Sequence, residues 1–148
     1  WVLYRIEFIK QNIINNKTHR KMSHFSTIKT TIKNKPELIE ALELLRYDVI
    51  EDCKLENPYD HQHKQWNVDV AISDDIGFRL NKNTGTYELV ADQETWNLDV
   101  PVNRFIDKVT QQYARMTVYN TVKELGFQVE EEWEMDDMSL EITATVWV

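Results

Sequence analysis

His61 and His63 flank Gln62 in a polar stretch, with Asp60 beside them and Cys53 a few residues upstream. Alternate residues of an extended segment point the same way. A His-x-His pair can therefore grip one metal ion when a third ligand arrives from elsewhere, and Cys53 is a candidate for that ligand. A zinc signature needs paired Cys or His clusters at matched spacing, and the chain holds one cysteine and no second such pair. Two solvated histidines in a surface loop are the plainer reading. No metal or cofactor is expected.

Carboxylates are the other chemical resource. Glu130, Glu131, Glu132, Glu134, Asp136 and Asp137 fall within eight positions, and residues 127–148 contain no base. Such density can coordinate a hard cation or dock a basic partner. Strict alternation sends Glu130, Glu132 and Glu134 to the face opposite Val129, Trp133 and Met135, where they form a solvated strand face and a candidate docking patch. The same alternation puts Glu131 on the apolar side. Desolvation there would raise its pKa, which is how general acids are made; a bulge or a salt bridge at the core edge is the alternative. No Ser/His/Asp or Cys/His set has suggestive spacing. Cys53, at the end of an apolar strand, reads as an inert buried thiol. Phosphate-cradling loops need glycine, and Gly77, Gly85 and Gly126 belong to no Gly-rich motif.

The elements that must position these residues follow from periodicity. Phe25 to Lys33 alternates, with Ile28, Thr30 and Ile32 on one side, which marks a strand with one buried face. Asn34-Lys35-Pro36 ends it and opens a helix, Pro36 fitting the first turn. Leu38, Ile39, Leu42 and Leu45 form that helix's apolar stripe, and it ends near Arg46. A strand is expected over Tyr47–Asp52, then a polar loop over 54–65 containing Pro58. Trp66, Val68, Val70 and Ile72 resume alternation. Asp74-Asp75 is a turn, and Ile76, Phe78 and Leu80 share the next strand face. Asn81 to Gly85 makes a hairpin loop, and Tyr87, Leu89 and Ala91 lie on the returning strand. Phe105, Val109, Tyr113, Met116, Tyr119 and Val122 recur at three- and four-residue spacing, predicting one long helix over Val102–Leu125 closed by Gly126 and Phe127. Strands over Phe127–Met135 and Met138–Val148, joined through Asp136-Asp137, complete the chain. The fold class is α+β: a mainly antiparallel sheet in the order βαββ-ββαββ, with one short and one long helix on one face.

Charge and composition bound the function. The net charge is −8, so the surface repels phosphate backbones and anionic head groups. Lys29, Lys33 and Lys35 are read as the only basic cluster after residue 22, and Trp66, Trp133 and Trp147 as packing residues rather than base-stacking platforms. No apolar run reaches the ~18–20 residues of a membrane helix. A lone cysteine implies a reducing compartment.

A seam falls at Met22. Of the 17 Lys/Arg and 25 Asp/Glu, residues 1–21 hold five and one, namely Arg5, Lys10, Lys17, Arg20 and Lys21 against Glu7. That stretch is rich in Ile, Asn and Lys and has no serine, unlike a transit peptide. It reads as upstream translation through an AT-rich spacer or an incomplete start, able to form a short helix or strand, with a single domain at 22–148. From Met22 onward, MSHFSTIKT, PELIEALELL, WNVDVAI and GFQVEEEWEMDDMSLEITATV together resemble the uncharacterised plastid and cyanobacterial family called hypothetical chloroplast reading frame 35, known more widely as a domain of unknown function. The resemblance implies a small, single-domain, plastid-encoded protein acting on the stromal side, and it carries no catalytic residues. The functional expectation is a soluble accessory or protein-interaction domain without catalytic activity. It would bind a basic protein partner, not nucleic acid, through an exposed sheet face or an acidic edge at Glu130, Glu132 and Glu134. The alternative is a small enzyme or metal-dependent regulator using the His61/His63 loop or a buried carboxylate such as Glu131.

Overall fold

The computed structural model describes residues 2–8, 25–57, 59, 60, 62, 64–134 and 140–146. Ten elements follow one another: β1 Val2–Phe8, β2 Ser26–Lys29, α1 Lys35–Leu44, β3 Ile50–Glu56, β4 Gln65–Ala71, β5 Ile76–Asn81, β6 Thr86–Ala91, α2 Val102–Glu124, β7 Gln128–Glu134 and β8 Leu140–Val146. From β2 onward this is the expected α+β order. The stretch read as lying outside the domain contributes β1, while Met22 and the Asp136-Asp137 turn lie outside the described residues.

The strands divide into two antiparallel sheets, of order β2-β6-β5-β4-β3 and β1-β8-β7. The division follows from α2. Twenty-three helical residues advance the chain by roughly 35 Å at 1.5 Å per residue, far enough to carry β7 and β8 beyond the first sheet. The N-terminal half of α2 buries Phe105, Ile106 and Val109 against the five-stranded sheet and α1. Its C-terminal half buries Val118 and Val122 against Ile142 and Ala144 of β8. Gly126 closes the helix with φ +78, and Phe127 N–H reaches back to the Val122 carbonyl at 2.9 Å, the left-handed cap that a glycine accommodates without strain.

Local signals explain the shorter elements. Pro36 sits in the first turn of α1, and Leu38, Ala41 and Leu42 face the core. Arg46 takes a left-handed φ of 68 just past α1, so the chain turns there and β3 begins at Ile50, later than the expected Tyr47. Tyr47 instead packs edge-on against Phe105, ring centroids 5.5 Å apart. Residues 54–56, expected in the loop, extend β3 as an edge strand, and of these only Leu55 is buried. Gly85 at φ +71 closes the β5–β6 hairpin, its N–H donating to the Asn81 carbonyl at 2.8 Å.

Alternation predicted one buried face for the first sheet, yet its centre is buried on both. Leu89 and Val90, neighbours on β6, are each 0 % exposed. Leu89 joins the core beneath the helices, while Val90 joins Phe25, Leu55, Val68 and Ala71 on the far side. Among the described residues, no helix is long and apolar enough to cross a membrane.

Candidate functional site

Two places gather polar chemistry, and each exists because a strand departs from regular pairing. The first is a split between β4 and β5. Their ladder holds only at Val70–Phe78 and Ala71–Gly77. It is this tight because Gly77 has no side chain: a Cβ there would lie 2.6 Å from the Val70 carbonyl oxygen. One residue further, the Asp69 carboxylate takes the Leu80 N–H at 2.7 Å in place of a backbone acceptor, and the strands separate.

The split opens a groove of about 440 Å³ lined by Asp52, Cys53, Lys54, Asn67, Val68, Asp69, Arg79, Leu80 and Lys82. Arg79 lays its guanidinium over the Trp66 ring, 4.9 Å from the centroid, and Trp66 in turn rests against Phe25 at 5.6 Å. Trp66 is thus a packing residue, as expected. Asp52 receives Lys35 Nζ at 3.1 Å and holds a left-handed φ of 49, which aspartate tolerates better than most residues. Cys53 is half-buried, and burial, followed by the charge of Asp52, pushes its thiol above the ordinary value. A raised thiol is a poor nucleophile at neutral pH, consistent with the inert reading.

The second place is the acidic strand β7. Between Val129 and Glu131 the register against β8 shifts, so that Glu130 is an extra residue opposite Ala144 and Thr143. A bulge of this kind reverses which side chains face which way beyond it. Val129 pairs with Ala144 and Glu132 with Ile142, and both β8 partners are fully buried under α2. The expectation that Glu130, Glu132 and Glu134 share one solvated face is therefore corrected at Glu132, which turns toward the helix. Arg115 Nε lies 2.7 and 3.0 Å from its two carboxylate oxygens, and the Tyr119 hydroxyl donates to the same carboxylate. Burial, and then the bond to Glu132, push the Tyr119 phenol above its ordinary pKa. Arg115 also stacks on the Tyr119 ring at 5.3 Å. Glu130 and Glu134 stay exposed, Glu130 accepting from the Thr145 hydroxyl at 2.7 Å. For Glu131, the bulge named as one alternative is present, and its backbone pairs with Thr143.

His61 and His63 lie outside the described residues. Between them and the domain, the Asp60 carboxylate accepts the backbone N–H groups of Gln62 and Lys64 at 3.0 and 3.4 Å, the turn-forming habit of that side chain. Of the lysines near β2, Lys35 is committed to Glu51 and Asp52, while Lys29 and Lys33 are exposed. The groove was not read from the sequence. Its one available signal was Arg79, the single charged residue of β5, set between Phe78 and Leu80.

The family described as "Protein of unknown function (DUF1257)" matches residues 41–143. An "Uncharacterized protein ycf35" of Pyropia yezoensis is 32 % identical over 131 residues, covering 85 % of this chain and 98 % of its own. Those of Guillardia theta and Cyanophora paradoxa are each 30 % identical with the same coverage. No solved structure matches. The relatives are plastid reading frames of a red alga, a cryptophyte and a glaucophyte, which supports plastid coding here too. The chain belongs to the DUF1257 family, among the plastid proteins called ycf35.

Proposed function

We propose that this protein is a non-catalytic accessory module of the plastid stroma that docks a basic protein partner along the acidic edge strand β7, with residues 22–148 as the working unit. The supporting observation is the sorting of carboxylates by the bulge at Glu130. Glu132 is consumed internally by Arg115 and Tyr119, whereas Glu130 and Glu134 face solvent on a strand at the edge of its sheet. No base in 127–148 offsets them. An edge strand offers backbone donors and acceptors, and its acids choose a basic partner and steer its approach. The first sheet's far face is a poorer surface, because its centre is buried at Leu55, Val68 and Val90. The net charge of −8 opposes nucleic acid by the same electrostatics.

The full chain, tagged and incubated with native plastid extract, should recover a stoichiometric basic protein that high salt releases. The double variant Glu130→Lys/Glu134→Lys should melt as the wild type does and bind that protein at least about tenfold more weakly. Undiminished capture by a folded double variant would remove β7 as the docking strand.

A further inference from the structure

We propose that the split between β4 and β5 is a binding site for a small phosphate monoester, its phosphate held by Arg79, Lys54 and Lys82. The charge arrangement carries this. In a chain of net charge −8, three cations line one groove, and among the described residues none of the three has a carboxylate within ion-pair distance. Asp52 and Asp69 share the lining, so the groove carries a net single positive charge, and each acid already has a partner of its own. Asp69 accepts the Leu80 N–H, and Asp52 accepts Lys35. Glu88, across from Arg79 on β6, accepts the Asn81 amide at 2.8 Å. Arg79 lies over the Trp66 ring, 4.9 Å from its centroid, a contact that restrains the side chain without using its N–H groups. A planar fork matches two oxygens of a phosphate, and two mobile ammonium groups complete the neutralisation of a dianion.

The remaining wall suits the rest of an ester. Val68, Leu80 and the Cys53 thiol are apolar, and Asn67 adds an amide. A volume near 440 Å³ falls within the roughly 300–1,000 Å³ typical of small-molecule sites. This site is separate from β7, so the two proposals fail independently.

Cys53 is the only cysteine of the chain and lines the groove, so its slow alkylation by excess N-ethylmaleimide at mildly alkaline pH, where the raised thiol begins to ionise, reports occupancy. Phenyl phosphate serves as the monoester probe, with chloride holding ionic strength constant. At ten times its Kd the probe should slow alkylation of the full-length protein about tenfold, following 1 + [L]/Kd. The exposed-lysine variant Lys54→Gln/Lys82→Gln and, separately, Arg79→Gln should lose that protection while melting near the wild type. Unchanged alkylation in the wild type, or equal slowing in the lysine variant, would overturn the site. Equal protection by inorganic phosphate would overturn its assignment to a monoester.

Discussion

Replacing Phe105 with alanine should lower the unfolding free energy by about 4 kcal/mol, the middle of the range for a large buried ring. Phe105 is 0 % exposed and joins the two helices to the first sheet. Its ring meets Tyr47 after α1 at 5.5 Å, Phe78 of β5 at 6.2 Å and Trp96 before α2 at 5.4 Å. The edge-to-face packing against Tyr47 and Trp96 adds to the area it buries. The cavity left by alanine cannot close readily, because one of these neighbours, Trp96, is tethered. The Trp96 indole N–H donates to the Val100 carbonyl at 2.8 Å. For a domain whose whole stability is on the order of 5–15 kcal/mol, such a loss should leave the variant partly unfolded near physiological temperature. Urea titration followed by tryptophan fluorescence measures it. A loss under ~1 kcal/mol would mean that α2 does not rest on the sheet through this ring.

Gly77→Ala should cost about 3 kcal/mol, although it adds a single methyl group. The reason is the identity of what the methyl meets. Its Cβ would stand 2.6 Å from a backbone oxygen, that of Val70, with Val68 and Leu55 methyl carbons at 3.2 and 3.3 Å. A side chain can rotate away, but the Val70 carbonyl is fixed by one of the two β4–β5 pairs. Gly126→Ala provides the contrast within the same urea series. It meets nothing within 4 Å but sits at φ +78, so its cost is the left-handed backbone alone, about 1–2 kcal/mol. If the two alanines cost the same, the tight approach of β4 and β5 is wrong.

What could be read from the residues was whatever depends on near neighbours. The three- and four-residue spacing from Phe105 to Val122 found α2 almost to the residue, since a long amphipathic stripe ended by glycine has few other solutions. Ile28 and Ile32 are buried at 4 % and 0 %, as alternation required. Asn81 to Gly85 turned where a polar, glycine-ended loop should turn. What depends on distant partners was hidden. An edge strand has little to bury, so Lys54 and Glu56 looked like loop, though Leu55 between them is wholly enclosed. The division into two sheets is a matter of which strands pair, and β1 finds its partner β8 across most of the chain. The bulge was invisible for a plainer reason: in a run of three glutamates, one extra residue leaves no compositional mark. Alternation counted through it placed Glu132 outside. The groove was hidden likewise, because it begins where a ladder stops, and Asp69 stops it by substituting its carboxylate for a backbone acceptor.

The phase of β7 decides which acids brace the protein and which are left to meet a partner, and a double-mutant cycle between Arg115 and Glu132 reads that phase directly. The two side chains are 35 % and 24 % exposed, sheltered enough to place the pair at the upper end of what surface ion pairs contribute. Arg115→Met, Glu132→Gln and their combination, compared by urea unfolding, should give a favourable coupling of about 1 kcal/mol. Coupling indistinguishable from zero would return Glu132 to the solvent face and contradict the division of labour along β7.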